Sequence, residues 1–554
     1  MDRSGAELLV DCLLAHGVTK VFGIPGAKVD SVFNELKNVE DRIHLVLCRH
    51  EQNAAFMAAA HGRLTGEPGI VLVTSGPGVT NLTTGLLTAT SEGDPVIAIG
   101  ANVPRSMRLK QTHQGLENAA LMNHVTQSSV EALVPESIPE VIESAFRTAT
   151  SSPCGATFIS IPQDVLTSST QLAVNKPVPK LEQGSAPVNQ IQQAAQLINQ
   201  AKTPVILLGM HASQPNNTQA IRELLHRVKL PCVGTFQAAG VISWDLLDCF
   251  IGRVGLFKNQ PGDQALDQAD VIITVGYNPI EYDPEVWNPQ NSDKQIIVID
   301  SAPAEIHTTF LPHMELIGDI SSTMSYLTSY LQPNQNVVEQ HAINELQQQL
   351  FDKINSGQDY HDHPIHPLRF IYDLNQCVDS NTTVISDVGS HYMWLARYFF
   401  CYEPRHLLFS NGQQTLGVAL PWALAACMVR PNEKIISISG DGGFLYSSME
   451  LETAVREGLN FVHCIWRDGA YNMVLEQEMI KYNQKSGTDF GSIDVVQYAQ
   501  SFGAIGYEVK RTEDLLPTLK QALQQPQGPV IIDVPIDYSD NPQLFASMHE
   551  NVGN

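Results

Sequence analysis

The sequence predicts an α/β protein of three doubly wound parallel-sheet domains, and three observations support this fold class. The chain of 554 residues is too long for one hydrophobic core. Short apolar, β-branched runs alternate with amphipathic helical patterns in three successive stretches, which is typical of parallel sheets covered by helices. Two polar segments separate these stretches, so each stretch is expected to form its own domain.

The first domain is predicted over residues 1–165. Helical patterns cover residues 6–16, 52–63 and 81–90, and strand patterns cover residues 21–23, 43–47, 69–74, 95–100 and 156–161. A segment rich in Ser, Thr, Gln and Pro follows at residues 166–187 and is interpreted as a linker.

The central domain is predicted over residues 188–332. Strand patterns cover residues 204–208, 231–234, 270–276 and 295–300, and a helical pattern covers residues 218–228. The GxGxxG pattern of a Rossmann dinucleotide site is missing, which disfavours a nicotinamide-dependent dehydrogenase. The Gln- and Asn-rich residues 334–363 are interpreted as a second, partly helical connector.

The third domain is predicted over residues 364–535, and residues 536–554 are expected to form a C-terminal tail. Strand patterns cover residues 383–386, 435–439, 461–466 and 530–534, and helical patterns cover residues 418–428 and 444–457. Because the three blocks are similar in size, a shared architecture is a further hypothesis.

Charge and composition exclude several classes of function. A formal net charge of −25 argues against nonspecific binding to nucleic acid or to an anionic membrane. No run approaches the roughly 18 apolar residues of a membrane span. The nine cysteines are scattered without a CxxC pair, as in reduced proteins. A soluble cytoplasmic protein without nucleic-acid or membrane partners is expected.

The strongest local signal is a pair of aspartates that follow two neighbouring strand patterns. Asp441 lies within Gly440-Asp441-Gly442-Gly443, and Asp468 is followed by Gly469. The helical pattern between the two strands predicts a right-handed βαβ unit, which brings both strand ends to one edge of a parallel sheet. Two carboxylates there can bind a hard divalent cation, while glycine amides and a helix N-terminus receive diphosphate oxygens. The alternative is a Gly-rich turn with two solvated aspartates.

Other strand ends carry further candidates. The segments 387–391 and 411–417 are expected at the same sheet edge as Asp441, either as ligand donors or as ordinary loops. Glu51 opens an Ala-rich helix, where a carboxylate is favoured by the helix dipole alone. The functional alternative is an acid that hydrogen-bonds a nitrogen heterocycle in a dry crevice. The turn 74–78 is either a tight turn or a site of close ligand approach.

Taken together, these motifs resemble a known family. RHE at 49–51, TSGPG at 74–78, SNGQQTLG at 410–417, GDGGF at 440–444 and DGAYN at 468–472 are similar, in order, to thiamine diphosphate enzymes of the acetolactate synthase group. The resemblance is strongest to the catabolic, FAD-independent branch from bacteria. Flavin-containing relatives carry Arg-Phe-Asp-Asp-Arg in the central domain, whereas residues 276–282 here are GYNPIEY, so FAD is not expected.

The resemblance implies a role for each matching position. Asp441, Asp468 and the Ala470 carbonyl would bind Mg²⁺, although Gly469 stands where many members have asparagine. Glu51 would hydrogen-bond the aminopyrimidine ring, and Leu416 would support the bent cofactor. The other implied cofactor contacts are Pro77, Asn81, Gly389, Ser390, His391, Gln413, Gln414, Gly440, Gly442, Gly443, Tyr471, Asn472 and Met473.

The implied reaction decarboxylates pyruvate and adds the resulting hydroxyethyl carbanion to a second pyruvate, which gives 2-acetolactate and CO₂ in the catabolic route to acetoin and butanediol. Gln477 replaces a tryptophan that favours 2-ketobutyrate in biosynthetic relatives, so a preference for pyruvate as acceptor is expected. Lys28, His113, Gln114 and Tyr538 are weaker candidates for shaping the substrate pocket.

The resemblance also implies that the protein assembles at least as a homodimer, and as a homotetramer if two dimers associate. In this assembly Glu51 of one chain faces the diphosphate site of another. Three alternatives remain: a pyruvate decarboxylase, an oxidase of the same fold, or a non-catalytic homologue. Non-catalytic homologues typically lose the activating glutamate or a metal aspartate, and this chain keeps Glu51, Asp441 and Asp468.

Overall fold

Three six-stranded parallel sheets follow one another along the chain, and they confirm the predicted fold class. The computed structural model describes residues 2–174, 176–290, 292–333 and 337–545, without the side chains of 337–343. The predicted connector 334–363 and tail 536–554 therefore lie partly outside the described residues. Within the described residues, no helix is both long enough and apolar enough to cross a membrane.

The N-terminal domain has the strand order β3-β2-β4-β5-β7-β6, and the short β1 and β8 pair antiparallel beside it. Its strands are β1 Arg3–Ser4, β2 Lys20–Gly23, β3 His44–Leu47, β4 Gly69–Val73, β5 Val96–Asn102, β6 Ser128–Glu131, β7 Ala156–Pro162 and β8 Ser169–Thr170. Its helices are α1 Gly5–Ala15, α2 Asp30–Asn38, α3 Glu51–Thr65, α4 Pro77–Thr80, α5 Thr83–Ser91, α6 Asn118–Met122, α7 Ile138–Thr150 and α8 Gln163–Thr167.

The central domain has the strand order β11-β10-β9-β12-β13-β14. Its strands are β9 Pro204–Leu208, β10 Cys232–Thr235, β11 Phe250–Val254, β12 Val271–Val275, β13 Gln295–Asp300 and β14 Met314–Ile317. Its helices are α9 Val188–Gln200, α10 Pro215–Val228, α11 Pro261–Gln268, α12 Pro284–Trp287 and α13 Ile320–Tyr330, and the connector helix α14 Val337–Asn355 follows.

The C-terminal domain has the strand order β16-β15-β17-β18-β20-β19. Its strands are β15 Thr382–Ser386, β16 Leu407–Leu408, β17 Lys434–Gly440, β18 Val462–Arg467, β19 Ile505–Glu508 and β20 Val530–Pro535. Its helices are α15 Pro367–Asn375, α16 Ser390–Tyr398, α17 Ala419–Val429, α18 Asp441–Ser447, α19 Leu451–Arg456, α20 Asn472–Tyr482, α21 Val495–Ser501, α22 Leu515–Leu523 and α23 Asn541–Leu544.

The hypothesis of a shared architecture holds for two of the three domains. When the strands are numbered within each six-stranded sheet, the N-terminal and C-terminal sheets both have the order 2-1-3-4-6-5, whereas the central sheet has the order 3-2-1-4-5-6. In an open parallel sheet, ligands bind where the strand order reverses, at the carboxyl ends of the strands. That position lies between β2 and β4 in the first domain and between β15 and β17 in the third.

The N-terminal and C-terminal domains share one hydrophobic core. The Ala-rich helix α3 packs against α17, which is apolar on all sides, and buried residues of both helices belong to the same cluster. The guanidinium of Arg63 lies 4.5 Å from the ring centroid of Trp422 and 2.8 Å from Asp94. This packing sets the relative position of the two domains within one chain.

The predicted helix 444–457 is wrong in its bounds and its continuity. Helix α18 begins at Asp441, so three residues of the GDGG motif form its first turn, and a 3₁₀ turn, Ser448–Glu450, separates it from α19. The two serines at the break bond to other segments, Ser447 to Asn53 and Ser448 to Tyr498. Such side-chain bonds compete with a continuous helix. The helix predicted at 81–90 likewise begins earlier, at Pro77, and consists of α4 and α5.

Candidate active site

The strand-order reversal of the C-terminal sheet brings the predicted loops together. Strands β15 and β17 are parallel neighbours, and the amide of Asp387, directly after β15, donates to the Ile438 carbonyl at 2.8 Å. Strand β18 pairs with β17 on the other side, with Gly440 opposite Trp466. The ends of three neighbouring strands therefore meet, as the βαβ interpretation predicts.

Asp441 and Asp468 form a pair of carboxylates at this edge. The Asp441 carboxylate accepts hydrogen bonds from the amides of Gly442 at 3.0 Å and Gly469 at 2.9 Å. Burial, and then the charge of Asp441, raises the pKa of Asp468 to about 7. Burial also raises the pKa of Asp441, while the hydrogen bonds from the amides of Gly469 and Gly442 lower it. Two neighbouring carboxylates, one of which raises the pKa of the other, suit a divalent cation, whose charge removes the repulsion.

The predicted metal set consists of these two carboxylates and the Ala470 carbonyl. Over the part of the chain that the structure describes, no group of three or more His, Cys, Asp or Glu side chains could hold a metal ion. The predicted set therefore has only two carboxylate ligands. The other coordination positions of the ion would be filled by main-chain, ligand or water oxygens, which is usual for Mg²⁺.

A cavity of about 260 Å³ lies beside the pair, and most of the predicted cofactor contacts in the third domain line it. The N-terminal residues of α16 and α20 belong to its wall, and helix N-termini attract anions. The residues predicted from the sequence that line this cavity are Gly389, Ser390, His391, Gln414, Leu416, Gly440, Gly442, Gly443, Asp468, Ala470, Tyr471, Asn472, Met473, Gln477 and Tyr538.

Hydrogen bonds between the loops hold this wall in place. Asn472 accepts from the Ser390 hydroxyl at 2.8 Å and from the Asn541 side chain at 2.5 Å. The first bond joins the loop after β15 to that after β18, and the second ties the C-terminal segment to both. Asn541 was not among the predicted site residues, because its role depends on contacts far apart in sequence.

His391 offers a polar atom to a ligand. Its Nε2 is buried, has no hydrogen-bond partner and belongs to a residue that lines the cavity. Burial lowers the pKa of His391 to about 3, so its ring is neutral at physiological pH. The indole nitrogen of Trp466, another lining residue, also lacks a partner. A ligand with polar groups can satisfy such buried atoms, which otherwise cost free energy.

The N-terminal domain holds a second group of predicted residues. The Glu51 carboxylate, at the first position of α3, accepts from the Asn81 side chain at 2.8 Å. A Cβ atom placed on Gly78 would lie 3.7 Å from the other Glu51 oxygen, so Glu51 lies over the predicted turn 74–78. The side chain of Gln114 accepts from the Ser75 hydroxyl at 3.3 Å.

The structure of one chain does not bring the two groups into one cavity. The N-terminal candidates Glu51, Lys28, Pro77, Asn81, His113 and Gln114 are absent from the lining of the 260 Å³ cavity. Asp441 borders an adjoining cavity of about 390 Å³ instead, together with Asp468. Gln413 is exposed and lines neither cavity, unlike its neighbour Gln414.

The comparisons with known proteins cover the whole architecture. The chain matches three family profiles, described as thiamine pyrophosphate enzyme N-terminal TPP-binding domain over residues 3–122, central domain over 191–327 and C-terminal TPP-binding domain over 387–534. It is 51% identical to "Acetolactate synthase" of Bacillus subtilis (strain 168) over 541 residues, which cover 98% of this chain and 94% of the relative.

Two further relatives match along nearly their full length. "Acetolactate synthase, catabolic" of Raoultella terrigena is 44% identical over 555 residues, covering 98% of this chain and 97% of the relative. "Acetolactate synthase isozyme 1 large subunit" of Escherichia coli (strain K12) is 29% identical over 542 residues, covering 96% and 94%. These matches confirm the resemblance found in the sequence motifs.

Proposed function

The chain belongs to the acetolactate synthase family of thiamine diphosphate enzymes, and we propose that it converts two molecules of pyruvate into 2-acetolactate and CO₂. One observation carries this proposal: the acetolactate synthases with 51% and 44% identity match 98% of this chain and 94% and 97% of their own length. The catabolic name of the second relative supports a place in the route to acetoin and butanediol.

The residues of the C-terminal cavity, together with Asp441 beside it, fit thiamine diphosphate with Mg²⁺. Asp441, Asp468 and the Ala470 carbonyl would hold the metal, and the unpartnered Nε2 of His391 and the starts of α16 and α20 suit the diphosphate. Bound there, the cofactor supplies an electron sink that lets pyruvate lose CO₂ and pass its two remaining carbons to an acceptor. Leu416 in the cavity wall would support the cofactor's bent shape.

Glu51 is the proposed proton-handling residue. With one carboxylate oxygen held by Asn81, its other oxygen is available to the aminopyrimidine ring. Hydrogen-bonding from one carboxylate to that ring is the only acid–base role that the proposal assigns to the protein. Pro77 and Asn81 would complete the contacts of the N-terminal domain with the ring.

The remaining candidates concern the substrate. Gln477 lines the cavity on α20 and would face the acceptor, where it leaves less apolar wall than a tryptophan. Lys28, His113 and Gln114 would shape the pocket from the N-terminal domain, and Tyr538 lines it from the C-terminal segment. A closed, dry site would favour addition to the second pyruvate over protonation to acetaldehyde.

We propose a homodimer in which Glu51 of one chain completes the cavity of the other, with a homotetramer as a pair of such dimers. Helix α20 lines the cavity, yet none of its residues is buried in the single chain. Large apolar side chains are exposed on α20 and on neighbouring α18, namely Val474, Met479, Tyr482, Leu445 and Tyr446. An exposed apolar patch beside a half-formed site supports cover by a second copy.

The protein is proposed to work without FAD and in the cytoplasm. In the central domain the carboxylate of buried Glu281 already accepts from the Met210 amide at 2.9 Å and the Asn278 amide at 3.1 Å, at the ends of β9 and β12. These amides are therefore not free to bind a dinucleotide's phosphates.

All nine cysteines are free, in keeping with a reducing compartment. The domain boundaries 1–165, 188–332 and 364–535 stay a prediction.

The test is an incubation of purified protein with pyruvate, thiamine diphosphate and Mg²⁺ without added FAD. We expect acetoin that appears only after acidification, which converts 2-acetolactate, and that is lost when cofactor or metal is omitted. Acetaldehyde would instead indicate a decarboxylase, and acetate or acetyl phosphate with a flavin requirement an oxidase. Unchanged pyruvate would indicate a non-catalytic homologue.

A further inference from the structure

The carboxylate of Glu450 is buried at the boundary between two domains and has no part in the proposed chemistry. Glu450 ends the 3₁₀ turn that follows α18 in the C-terminal domain, and it is fully buried. Its Oε1 accepts from the main-chain amides of Arg49 at 2.9 Å and His50 at 3.1 Å. These two residues directly precede Glu51, so a side chain of one domain holds the start of α3 in another.

The other bonds of this carboxylate strengthen the same connection. Its Oε1 also accepts from the Asn53 side chain at 3.1 Å, and its Oε2 accepts from the Thr453 hydroxyl at 2.6 Å. Asn53, the third residue of α3, accepts in turn from Ser447 at 3.1 Å. In a capping box, the residue at this third position would itself accept from the amide that precedes the helix. Here Glu450 takes over that function across the domain boundary.

We propose that Glu450 is a positioning residue for the reaction, which fixes the start of α3 and so aims the Glu51 carboxylate. Glu51 is attached to the helix at the residue after His50, so a shift or rotation of that turn moves its carboxylate. Within the N-terminal domain, the Asn81 side chain holds the Glu51 carboxylate and the His50 ring accepts from the Gln52 amide at 3.1 Å. The amides of Arg49 and His50, by contrast, donate to Glu450 of the other domain. This inference rests on the proposed function, in which Glu51 contacts the cofactor ring.

A matched control exists in the central domain. The buried carboxylate of Asp263 accepts from the amides of Asn259 at 2.9 Å and Gln260 at 2.8 Å and from the hydroxyl of Tyr282. It holds the start of α11 as Glu450 holds the start of α3, but it lines neither cavity of the candidate site. Asp263→Ala therefore reproduces the loss of a buried cap without affecting Glu51.

The experiment measures how fast the C2 proton of bound thiamine diphosphate exchanges with deuterium, by acid quench and proton NMR at saturating cofactor and Mg²⁺. Glu450→Ala is expected to slow exchange at least tenfold. Glu450→Gln keeps an acceptor oxygen and should slow exchange less than threefold. Asp263→Ala should not slow exchange. In a Glu51→Gln background, Glu450→Ala should cause no further slowing. Amide hydrogen exchange without cofactor should show lost protection at residues 49–50 in Glu450→Ala only.

Several outcomes would overturn the inference. Exchange of the C2 proton in Glu450→Ala as fast as in the Asp263→Ala control would reduce Glu450 to a structural cap, as would equal slowing with and without Glu51. If Glu450→Ala does not fold, Glu450→Asp provides the same test, because its shorter side chain pulls on the same two amides and should slow exchange. If exchange in the unmodified protein does not depend on Glu51 at all, the proposed function itself fails.

Discussion

The carboxylate of Asp387 accepts a hydrogen bond from the main-chain amide of Gly417 over 2.9 Å, and this bond joins two loops of the candidate site. The other oxygen of the same carboxylate accepts from the Ala419 amide at 3.1 Å. Gly417 has a positive φ of 85°, and a Cβ there would lie 2.5 Å from Tyr446, so glycine is required at this turn. Asp387 thus positions the turn that presents Leu416 to the cavity.

Replacing Asp387 with alanine is expected to destabilise the protein by about 1–3 kcal/mol for each buried amide left without a partner. The affinity for thiamine diphosphate should also fall, because the turn 411–417 loses its anchor. The measurements are urea unfolding and cofactor titration followed by tryptophan fluorescence, since Trp466 lines the cavity. Asp379→Ala, at an exposed carboxylate before β15, is the control. Unchanged cofactor affinity in Asp387→Ala would contradict the positioning role.

The Glu51→Gln variant is expected to lower kcat for acetolactate formation by about 10²–10⁴-fold, because glutamine cannot exchange a proton with the aminopyrimidine ring. Its fold and cofactor affinity should change little, since the amide oxygen can still accept from Asn81. Steady-state kinetics and cofactor titration test both points. Glu67→Gln, on the surface beside Lys180, serves as the matched control and should leave kcat and cofactor affinity unchanged. Full activity in Glu51→Gln would refute its assignment.

Removal of one metal ligand should act mainly on binding. We expect Asp468→Ala to weaken Mg²⁺-dependent binding of thiamine diphosphate by at least about 100-fold, since even indirect partners of metal ligands contribute up to about that factor. Isothermal titration at several Mg²⁺ concentrations is the measurement. Asp514→Ala, at a partly exposed carboxylate paired with Arg511, should bind as the parent does. Equal affinities for Asp468→Ala and the parent would place the metal elsewhere.

The acceptor preference is expected to depend on residue 477. In a competition between pyruvate and 2-ketobutyrate, the parent protein should favour pyruvate, and Gln477→Trp should shift product yields towards 2-ketobutyrate by about tenfold, the scale of one methylene contact. Gas chromatography of the two decarboxylated products gives the ratio. Lys481→Trp, one turn further on α20 and exposed, controls for the added ring. Equal yields of both products from the parent would show that Gln477 confers no preference.

Stability should depend on pH through Glu281. Burial raises the pKa of Glu281 to about 7, against partial lowering by its bonds to Thr235, Met210 and Asn278. Because the folded state holds this proton more tightly than the unfolded state, the contribution is fully present below the unfolded pKa of 4.5 and is lost as pH rises through 7. The loss amounts to about 3 kcal/mol.

The variant Glu281→Gln removes that titration. Its amide oxygen can accept from Met210 and Asn278, and its amide group can face Thr235, so the bonding pattern is preserved. Relative to the parent, its melting temperature should therefore rise progressively between pH 4.5 and 7 and then level off. Differential scanning fluorimetry over this range checks the prediction. A constant difference at every pH would mean that Glu281 does not titrate there.

The sequence by itself determined the central strands of each sheet and the residue types at their carboxyl ends. Buried parallel strands are continuous apolar runs, so strands such as β4 and β9 can be predicted without knowing which strands pair with them. Five strands at sheet edges, β6, β11, β14, β16 and β19, were not predicted. Three of them, β6, β14 and β19, are poorly covered and give a weak apolar pattern, whereas β16 is buried but only two residues long and the buried β11 is interrupted by Gly252 and Arg253. β6, for example, is Ser-Ser-Val-Glu, with no fully buried residue.

Only the tertiary structure decided how those strand ends are held and which of them meet. The Gly417 amide donates to Asp387, 30 positions away, and the amides of Arg49 and His50 donate to Glu450, about 400 positions away. No local sequence pattern predicts bonds over such separations. The same holds for the separation of Glu51 from the C-terminal cavity within one chain. Periodicity reports burial along an element, whereas the placement of a side chain at a site depends on contacts that form only when distant segments pack.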